Sequence, residues 1–266
     1  MKNSTKFKLL FLRMKEVFWL YAPDWLYALI AISYFLLEAY LKKRIVMRIA
    51  PMKNVWFVSD GKTSFFVPTV KAARYPLYFA EPYEQYFEIK RGEIVFDIGA
   101  CVGEFTVLAA RKVGEEGLVV AIEPEPRNLT CLQMNIAWNK LSNVKIIGKG
   151  VWKSKGVLKL RRGVGGAITS HSFKEPGGDV KIPVDTLDNI ASSFSRIDFI
   201  KIDAEGAEVE ILEGGKQTLA RAKKVVLEVE SKKDADLIRR VLETFGYNVF
   251  IDTSGIFLYI YAKKNN

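Results

Sequence analysis

One short stretch of this chain, beginning at Val95, constrains its fold more than any other. An apolar run leads into the acid Asp97, glycines follow at positions 99 and 103, and helix-forming residues start at Glu104. In open α/β sheets this order of strand, glycine turn and helix borders a cofactor crevice, because glycine lets the backbone approach a ligand and the helix presents free N–H groups. The stretch therefore predicts an α/β domain with a Rossmann-like, mostly parallel sheet.

The spacing inside this turn argues against a dinucleotide cofactor. It reads D-x-G-x-x-x-G, whereas a pyrophosphate is seated by G-x-G-x-x-G. Asp97 stands where that phosphate would approach, which favours a neutral or cationic ligand such as S-adenosylmethionine, with its sulfonium and amino groups. We therefore predict that Asp97, Gly99, Ala100 and Gly103 belong to a cofactor site, although a plain strand-to-helix turn uses similar glycines.

A second strand ends in another acid at an informative distance. The apolar run from Leu118 to Ile122 is typical of a strand buried on both faces, and Glu123 and Pro124 follow it. Glu123 lies about twenty residues beyond Gly103, the offset at which an acid accepts hydrogen bonds from the ribose hydroxyls of a cofactor. Glu123 and Pro124 are therefore predicted to bind the cofactor.

Two later strands complete the predicted crevice. The third starts at Val144 and leads to Gly150 and Val151, which are candidates for the wall against the adenine. The fourth ends at Asp203, and because parallel strands place ligands at their carboxyl ends, this acid is predicted to meet Glu123 at one edge. Asp203 is the predicted acid at the reacting centre, where it accepts the proton of a substrate hydroxyl, orients that hydroxyl, or contacts the cofactor's amino group.

Three further residues are candidates for a supporting catalytic role. Glu205 and Glu208 follow Asp203, and such close like charges raise the pKa of one of them, although acids are also common at helix N-termini for the dipole alone. His171, the only histidine, lies in a glycine-rich loop. Its reference pKa suits a general base, although a lone loop histidine is usually exposed and idle. Glu205 and His171 are the predicted helpers, and no metal site is predicted.

Between Tyr83 and Val229 the chain resembles the FkbM-type S-adenosylmethionine-dependent methyltransferases. The resemblance rests on the Asp97 turn, on Glu-Pro-Glu-Pro at 123–126, on Asn-Ile-Ala-Trp-Asn at 135–139, and above all on Lys-Ile-Asp-Ala-Glu-Gly-Ala-Glu at 201–208. Cys101 departs from it, since the family more often has asparagine there. The resemblance implies a class I methyltransferase fold, a mostly parallel seven-stranded sheet with an antiparallel last strand, and S-adenosyl-L-methionine as cofactor.

The resemblance also bears on residues outside these motifs. In the related enzymes the tyrosine-rich connector before the first strand lies near the cofactor mouth, so Glu81, Tyr83 and Tyr86 are candidates to line the methionine end, with surface aromatics as the alternative. Glu228 or Glu230, at the end of the fifth strand, is expected near the rim of the same site.

The expected reaction is methylation of a hydroxyl on a glycan, a lipid-linked sugar or a small natural product. An RNA methyltransferase is one alternative, but such enzymes typically carry an Asn/Asp-Pro-Pro-aromatic turn where this chain has Asp203-Ala204-Glu205-Gly206. The excess basic charge also lies outside the predicted domain, which argues against a phosphate track. Nucleic acid is therefore an unfavoured partner. The other alternative is a non-catalytic, membrane-associated binding module with the same fold.

Residues 1–53 form a basic, aromatic-rich extension ahead of the predicted methyltransferase domain at 54–266. Ten lysines and arginines against three acids give this extension +7 of the chain's net +10. Its apolar run from Trp25 to Leu37 is shorter than the ~20 residues that span a bilayer. It is either a helical cap on the domain or a membrane-surface anchor. Because the two cysteines imply no disulfide framework, the expected location is cytoplasmic, with peripheral contact at the inner membrane face under the anchor interpretation.

Overall fold

The computed structural model describes residues 48–52, 55–59, 64–69, 81–162, 173–174, 178–255 and 257–264. The predicted extension up to residue 47 and the loop that holds His171 lie outside these ranges. Within them the chain forms three sheets and the helices that pack against the largest one.

The described residues form thirteen strands, six α-helices and one 3-10 turn. In chain order the strands are β1 (Arg48–Met52), β2 (Val55–Ser59), β3 (Ser64–Val67), β4 (Ile94–Ile98), β5 (Leu118–Ile122), β6 (Val144–Ile147), β7 (Gly150–Val151), β8 (Gly156–Leu160), β9 (Val180–Asp185), β10 (Phe199–Ile202), β11 (Lys224–Val229), β12 (Tyr247–Asp252) and β13 (Leu258–Lys264). The helices are α1 (Glu104–Val113), α2 (Pro126–Trp138), α3 (Leu187–Ile190), α4 (Glu208–Glu213), α5 (Lys216–Arg221) and α6 (Lys232–Thr244), and a 3-10 turn spans Glu81–Glu84.

The central sheet has seven strands in the order β12-β13-β11-β10-β4-β5-β6. The strands from β11 to β6 are parallel to their neighbours, and the last strand, β13, runs antiparallel to both β11 and β12. The prediction of a Rossmann-like class I methyltransferase sheet with an antiparallel last strand is confirmed. In this order β4 lies between β5 and β10, so the strand order reverses beside it and a ligand crevice opens there.

Both faces of the central sheet are buried, which explains why its inner strands are almost continuously apolar. On one face Val95 and Phe199 pack with Phe105 of α1. On the other face Phe96 and Ile200 belong to the core formed with α4, α5 and α6. Because neighbouring residues of a strand point to opposite faces, each inner strand contributes to both cores.

Two small sheets flank the central one. The alternating apolar runs on either side of Asp60-Gly61 predict a hairpin, and the antiparallel pairing of β2 with β3 in the first small sheet confirms it, but the sequence did not predict its third strand or the second small sheet. β1, β2 and β3 form an antiparallel meander, so β1 lies on the extension side of the predicted boundary at 53/54 but pairs with a strand beyond it. The Asn135 side chain holds β3 against the cofactor turn: its amide oxygen accepts from the Phe66 N–H at 2.6 Å, and its nitrogen donates to the carbonyls of Phe66 and Val102 at 2.9 and 2.7 Å.

The second small sheet has the order β7-β9-β8 and follows directly on β6. β7 pairs with β9 in parallel, with Gly150 opposite Val184 and Val151 opposite Asp185. This pairing is absent from the sequence prediction, which treats Gly150 and Val151 as the turn that leaves the third strand. The pairing fixes both residues at the mouth of the central crevice.

Candidate functional site: a crevice at the carboxyl ends of the parallel strands

A crevice opens where β4, β5 and β10 end, and it encloses about 620 Å³ of empty space, including the part that is open to solvent. Most of the predicted site residues form its walls. The predicted residues that line it are Gly99, Glu123, Pro124, Gly150, Val151, Asp203 and Glu205. The others do not line it: Asp97 lies beneath the turn, Ala100 and Gly103 belong to the turn but not to the crevice wall, and His171 lies outside the described residues.

The two glycines of the turn are required by close packing. Gly99 has a φ of +75°, and a Cβ built on it would lie 1.8 Å from the carbonyl oxygen of Asp203. Gly103 has a φ of +95°, and its Cβ would lie 2.6 Å from a methyl carbon of Leu132 in α2. The turn after β4 therefore touches both the end of β10 and helix α2. A side chain at Gly99 would push apart the two strand ends that form the floor of the crevice.

Asp97 is fully buried beneath this turn. One of its carboxylate oxygens accepts from the Thr106 hydroxyl, and the other lies 3.0 Å from the Lys201 ammonium. These two contacts tie the end of β4 to helix α1 and to strand β10.

Lys201 is the main site residue to which the sequence assigned no role. Its ammonium is buried, donates to the Gly99 carbonyl at 2.7 Å, lies 3.8 Å from an Asp203 oxygen and sits 5.2 Å from the centre of the Tyr83 ring. Burial by itself lowers the pKa of a lysine, but the carboxylates of Asp97, Asp203 and Glu104 outweigh it and raise the pKa of Lys201. A lysine within a strand that is otherwise wholly apolar was the available signal, since buried lysines are almost always paired.

Glu123 is held rigidly at the end of β5. One carboxylate oxygen accepts from the Cys101 N–H at 2.8 Å and the other from the Glu125 N–H at 2.8 Å. Burial raises the pKa of Glu123 to about 8, against the lowering effect of these two N–H donors. Each oxygen keeps a further lone pair, and the residue lines the crevice, so it fits a ligand that brings hydroxyl donors.

This environment of Glu123 makes the stability of the protein dependent on pH. Between its unfolded pKa of 4.5 and its folded pKa of about 8, the folded state holds a proton that the unfolded state has released, so stability falls as pH rises. We expect this single group to lower the free energy of unfolding by about 2 to 3 kcal/mol between pH 5 and 7. Urea unfolding at several pH values should show this slope, reduced by one proton in Glu123→Gln; an equal slope in that variant would contradict the assignment.

Asp203 lines the crevice, and 28% of its side chain is exposed. The Tyr83 hydroxyl donates to one of its oxygens at 2.7 Å and also lies 3.1 Å from a carboxylate oxygen of Glu228. Of the two acids predicted near the rim, Glu228 is thus the one that joins the site, while Glu230 is exposed. Tyr83 is buried, whereas Tyr86 is 48% exposed and stacks on Phe250 and Tyr261 at the far edge of the sheet.

Glu205 and Glu208 have different positions although they are neighbours in the motif. Glu205 lines the crevice and has a φ of +51°, in the left-handed region that non-glycine residues seldom adopt. Glu208 is buried and accepts from the N–H groups of Ala204 at 3.0 Å and Gly206 at 3.1 Å, and burial raises its pKa to about 7. Glu208 therefore supports the turn that carries Glu205.

The wall opposite these acids is apolar. Val151 is buried, and a Cβ built on Gly150 would lie 2.8 Å from the ring of Phe173. Phe173 itself lines the crevice, and it packs edge-on against Trp152 with ring centres 6.1 Å apart. Such a wall fits a flat heteroaromatic group, while the acidic side fits hydroxyl and ammonium groups. Together they match the parts of S-adenosylmethionine. Among the described residues no group of three or more His, Cys, Asp or Glu side chains is arranged to hold a metal ion.

A seven-stranded sheet with this order and with its crevice at β4, β5 and β10 defines a class I S-adenosylmethionine-dependent methyltransferase. More narrowly, the chain belongs to the FkbM methyltransferase family, since the model of the Methyltransferase FkbM domain matches residues 97–249. S-adenosyl-L-methionine is accordingly its cofactor.

Individual relatives are more distant. Methyltransferase sdnD of Sordaria araneosa is 27% identical over 197 residues, which cover 59% of this chain and 74% of that protein. A SAM-dependent methyltransferase from Aquifex aeolicus is 19% identical, with a TM-score of 0.45 over 70% of this chain and 90% of its own. An rRNA methylase from Streptococcus thermophilus is 13% identical, with a TM-score of 0.43 over 66% of this chain and 90% of its own.

Proposed function

We propose that the protein methylates a hydroxyl group on a glycan, a lipid-linked sugar or a small natural product. The observation that carries this proposal is the position of Asp203, a partly exposed acid at the centre of the crevice floor, hydrogen-bonded from behind by Tyr83. An acceptor hydroxyl needs a single proton acceptor at the reacting centre, and a carboxylate there suits this task.

The cofactor-binding roles follow from the walls of the crevice. Glu123 would accept hydrogen bonds from the ribose hydroxyls, and Pro124 would line the same part of the site. Gly150 and Val151 would contact the adenine. Asp203 would face the methionine end. Gly99 would let the cofactor approach the backbone, while Asp97, Ala100 and Gly103 would hold the turn in shape. When bound, S-adenosylmethionine supplies an electrophilic methyl group on its sulfonium.

The protein's own contribution to the chemistry is alignment and proton transfer. An in-line displacement is accelerated chiefly when the two reactants are held at the right distance with water excluded. Asp203 would orient the acceptor hydroxyl and take its proton, and Glu205, on the same wall, would assist. His171 stays a predicted helper, since its loop lies outside the described residues.

Replacing Glu123 with alanine should weaken the binding of S-adenosylmethionine about 100-fold, because the two ribose hydroxyls would lose their hydrogen bonds to this carboxyl group. Isothermal titration calorimetry checks this, with Glu116→Ala as the matched control, since Glu116 is an exposed acid outside the crevice. Equal affinity in the two variants would contradict the ribose assignment. Failure of the parent protein to bind would favour a non-catalytic module.

The acceptor class is tested by offering separate fractions with methyl-labelled S-adenosylmethionine. A glycan fraction, a lipid-soluble extract and total RNA are incubated with the protein, and the position of the new methyl group is read by mass spectrometry. We expect methyl ethers in the first or second fraction. Label only in RNA would overturn the proposal in favour of an RNA methyltransferase. RNA is included because rRNA methylases are among the proteins with similar structures.

We further propose that the extension at residues 1–53 contacts anionic membrane surfaces. No described helix is long and apolar enough to cross a bilayer. Each basic residue near such a surface contributes about 1 kcal/mol, so Lys42→Gln, Lys43→Gln and Arg44→Gln together should weaken co-sedimentation with anionic vesicles roughly 100-fold. The control changes three exposed basic residues elsewhere, Lys232, Lys233 and Arg240, to glutamine. Equal loss in both variants would contradict a specific anchor.

A further inference from the structure

Two carboxyl groups share one phenol hydroxyl beside the crevice. The Tyr83 oxygen lies 2.7 Å from a carboxylate oxygen of Asp203 and 3.1 Å from one of Glu228. The same Glu228 oxygen accepts from the Tyr259 hydroxyl at 2.9 Å. These four side chains form a continuous hydrogen-bond network that leads from β13 to the crevice.

The protons in this hydrogen-bond network can be counted. Tyr83 has one O–H proton, so it cannot donate to both acids at once. If its proton points to Asp203, the Tyr83 oxygen and the Glu228 oxygen face each other at 3.1 Å as two acceptors, unless Glu228 carries a proton. With that proton present, each hydrogen bond has one donor and one acceptor: Tyr259 donates to Glu228, Glu228 to Tyr83, and Tyr83 to Asp203. The network then ends on an ionised Asp203.

The surroundings of Glu228 favour the protonated form. The groups that face it are Tyr259 on β13, Tyr83 in the 3-10 turn, Asp203 after β10 and Lys201 within β10. Burial and the Asp203 charge raise the pKa of Glu228 to about 7, although its hydrogen-bonding contacts with the Tyr259 and Tyr83 hydroxyls and the charge of Lys201 act in the opposite direction. The Lys201 ammonium lies closer to Asp97, at 3.0 Å, and to the Gly99 carbonyl, at 2.7 Å, than to Asp203, at 3.8 Å.

We propose that Glu228 is a positioning residue: through Tyr83 it holds the proton that keeps Asp203 ionised and directed at the acceptor hydroxyl. This role rests on the proposed function. In the methyl-transfer step the acceptor oxygen bonds to the methyl carbon, the carbon–sulfur bond breaks, and the sulfur keeps the electron pair as a neutral thioether. The acceptor proton passes to Asp203, which releases it to water because its side chain is partly exposed.

The test measures the coupling in the protein alone, without cofactor or acceptor. The full chain is labelled with carbon-13 at the aspartate carboxyl carbons and titrated by NMR from about pH 5 to 9. The Asp203 signal is assigned by its loss in Asp203→Asn. We expect this signal to shift at about pH 7, where Glu228 releases its proton. That shift should shrink by more than half in Glu228→Gln and keep its size in Glu230→Gln, a matched change at an exposed acid two residues away.

Tyr83→Phe provides a second arm that does not depend on the folding of Glu228→Gln. It removes the shared hydroxyl and should likewise shrink the shift by more than half, although Glu228 is still present. The proposal is overturned if the Asp203 signal does not move at about pH 7 in the parent protein, or if the movement persists in either variant. Because no methyl transfer is measured, a failure of this proposal can be distinguished from a failure of the proposed function in the acceptor experiment.

Discussion

Replacing Gly99 with alanine is expected to destabilise the protein by about 2 to 5 kcal/mol. Two costs combine in this variant. A non-glycine residue at a φ of +75° costs roughly 1 to 2 kcal/mol, and overpacking in a tight core adds about 1 to 3 kcal/mol. The new Cβ would lie 1.8 Å from the Asp203 carbonyl oxygen, so the ends of β4 and β10 would have to separate.

Gly92 offers a matched control for this prediction. Its φ is +76°, almost the same as that of Gly99, but a Cβ built on it has no atom within 4 Å. Gly92→Ala should therefore show only the conformational cost of about 1 to 2 kcal/mol. Urea unfolding of both variants separates the clash from the backbone strain. Similar losses in the two variants would mean that the contact between the strand ends is not tight.

The meeting of several acids at one edge of the sheet was predictable, because it follows from where each acid stands relative to a strand in the sequence. Asp97, Glu123 and Asp203 each end a recognisable apolar run, and parallel strands bring such ends to one edge. The crevice that contains Glu123 and Asp203 follows from this rule. The rule does not give the depth of a side chain, which is why it could not show that Asp97 lies beneath the turn with Lys201.

The interactions behind the crevice were not predictable in the same way. Tyr83 contacts Asp203 across 120 residues and Glu228 across 145 residues of sequence. No local periodicity relates positions so far apart, so the sequence indicated only that Tyr83 and Glu228 lie near the site. The pairing of β7 with β9 is unpredictable for a similar reason, since a two-residue strand carries too little pattern to be recognised.

The second large loss of stability is expected when the buried ion pair of Lys201 and Asp97 is broken. Replacing Lys201 with methionine, which keeps most of the apolar stem, should cost about 3 to 5 kcal/mol of unfolding free energy. The reason is that the substitution leaves Asp97 charged, fully buried and without its 3.0 Å partner. The Gly99 carbonyl would lose its 2.7 Å donor at the same time, so the cofactor turn would lose its link to β10.

A surface lysine directly before β11 offers a control with a much smaller expected effect. Lys223 pairs with Asp198 at 2.8 Å, yet 60% of its side chain is exposed, so Lys223→Met should cost at most about 1 kcal/mol. Adding Asp97→Asn to Lys201→Met should recover part of the loss, because the neutral amide removes the unpaired charge. If Lys201→Met is as mild as Lys223→Met, or the double variant is no more stable than Lys201→Met, Lys201 does not neutralise Asp97.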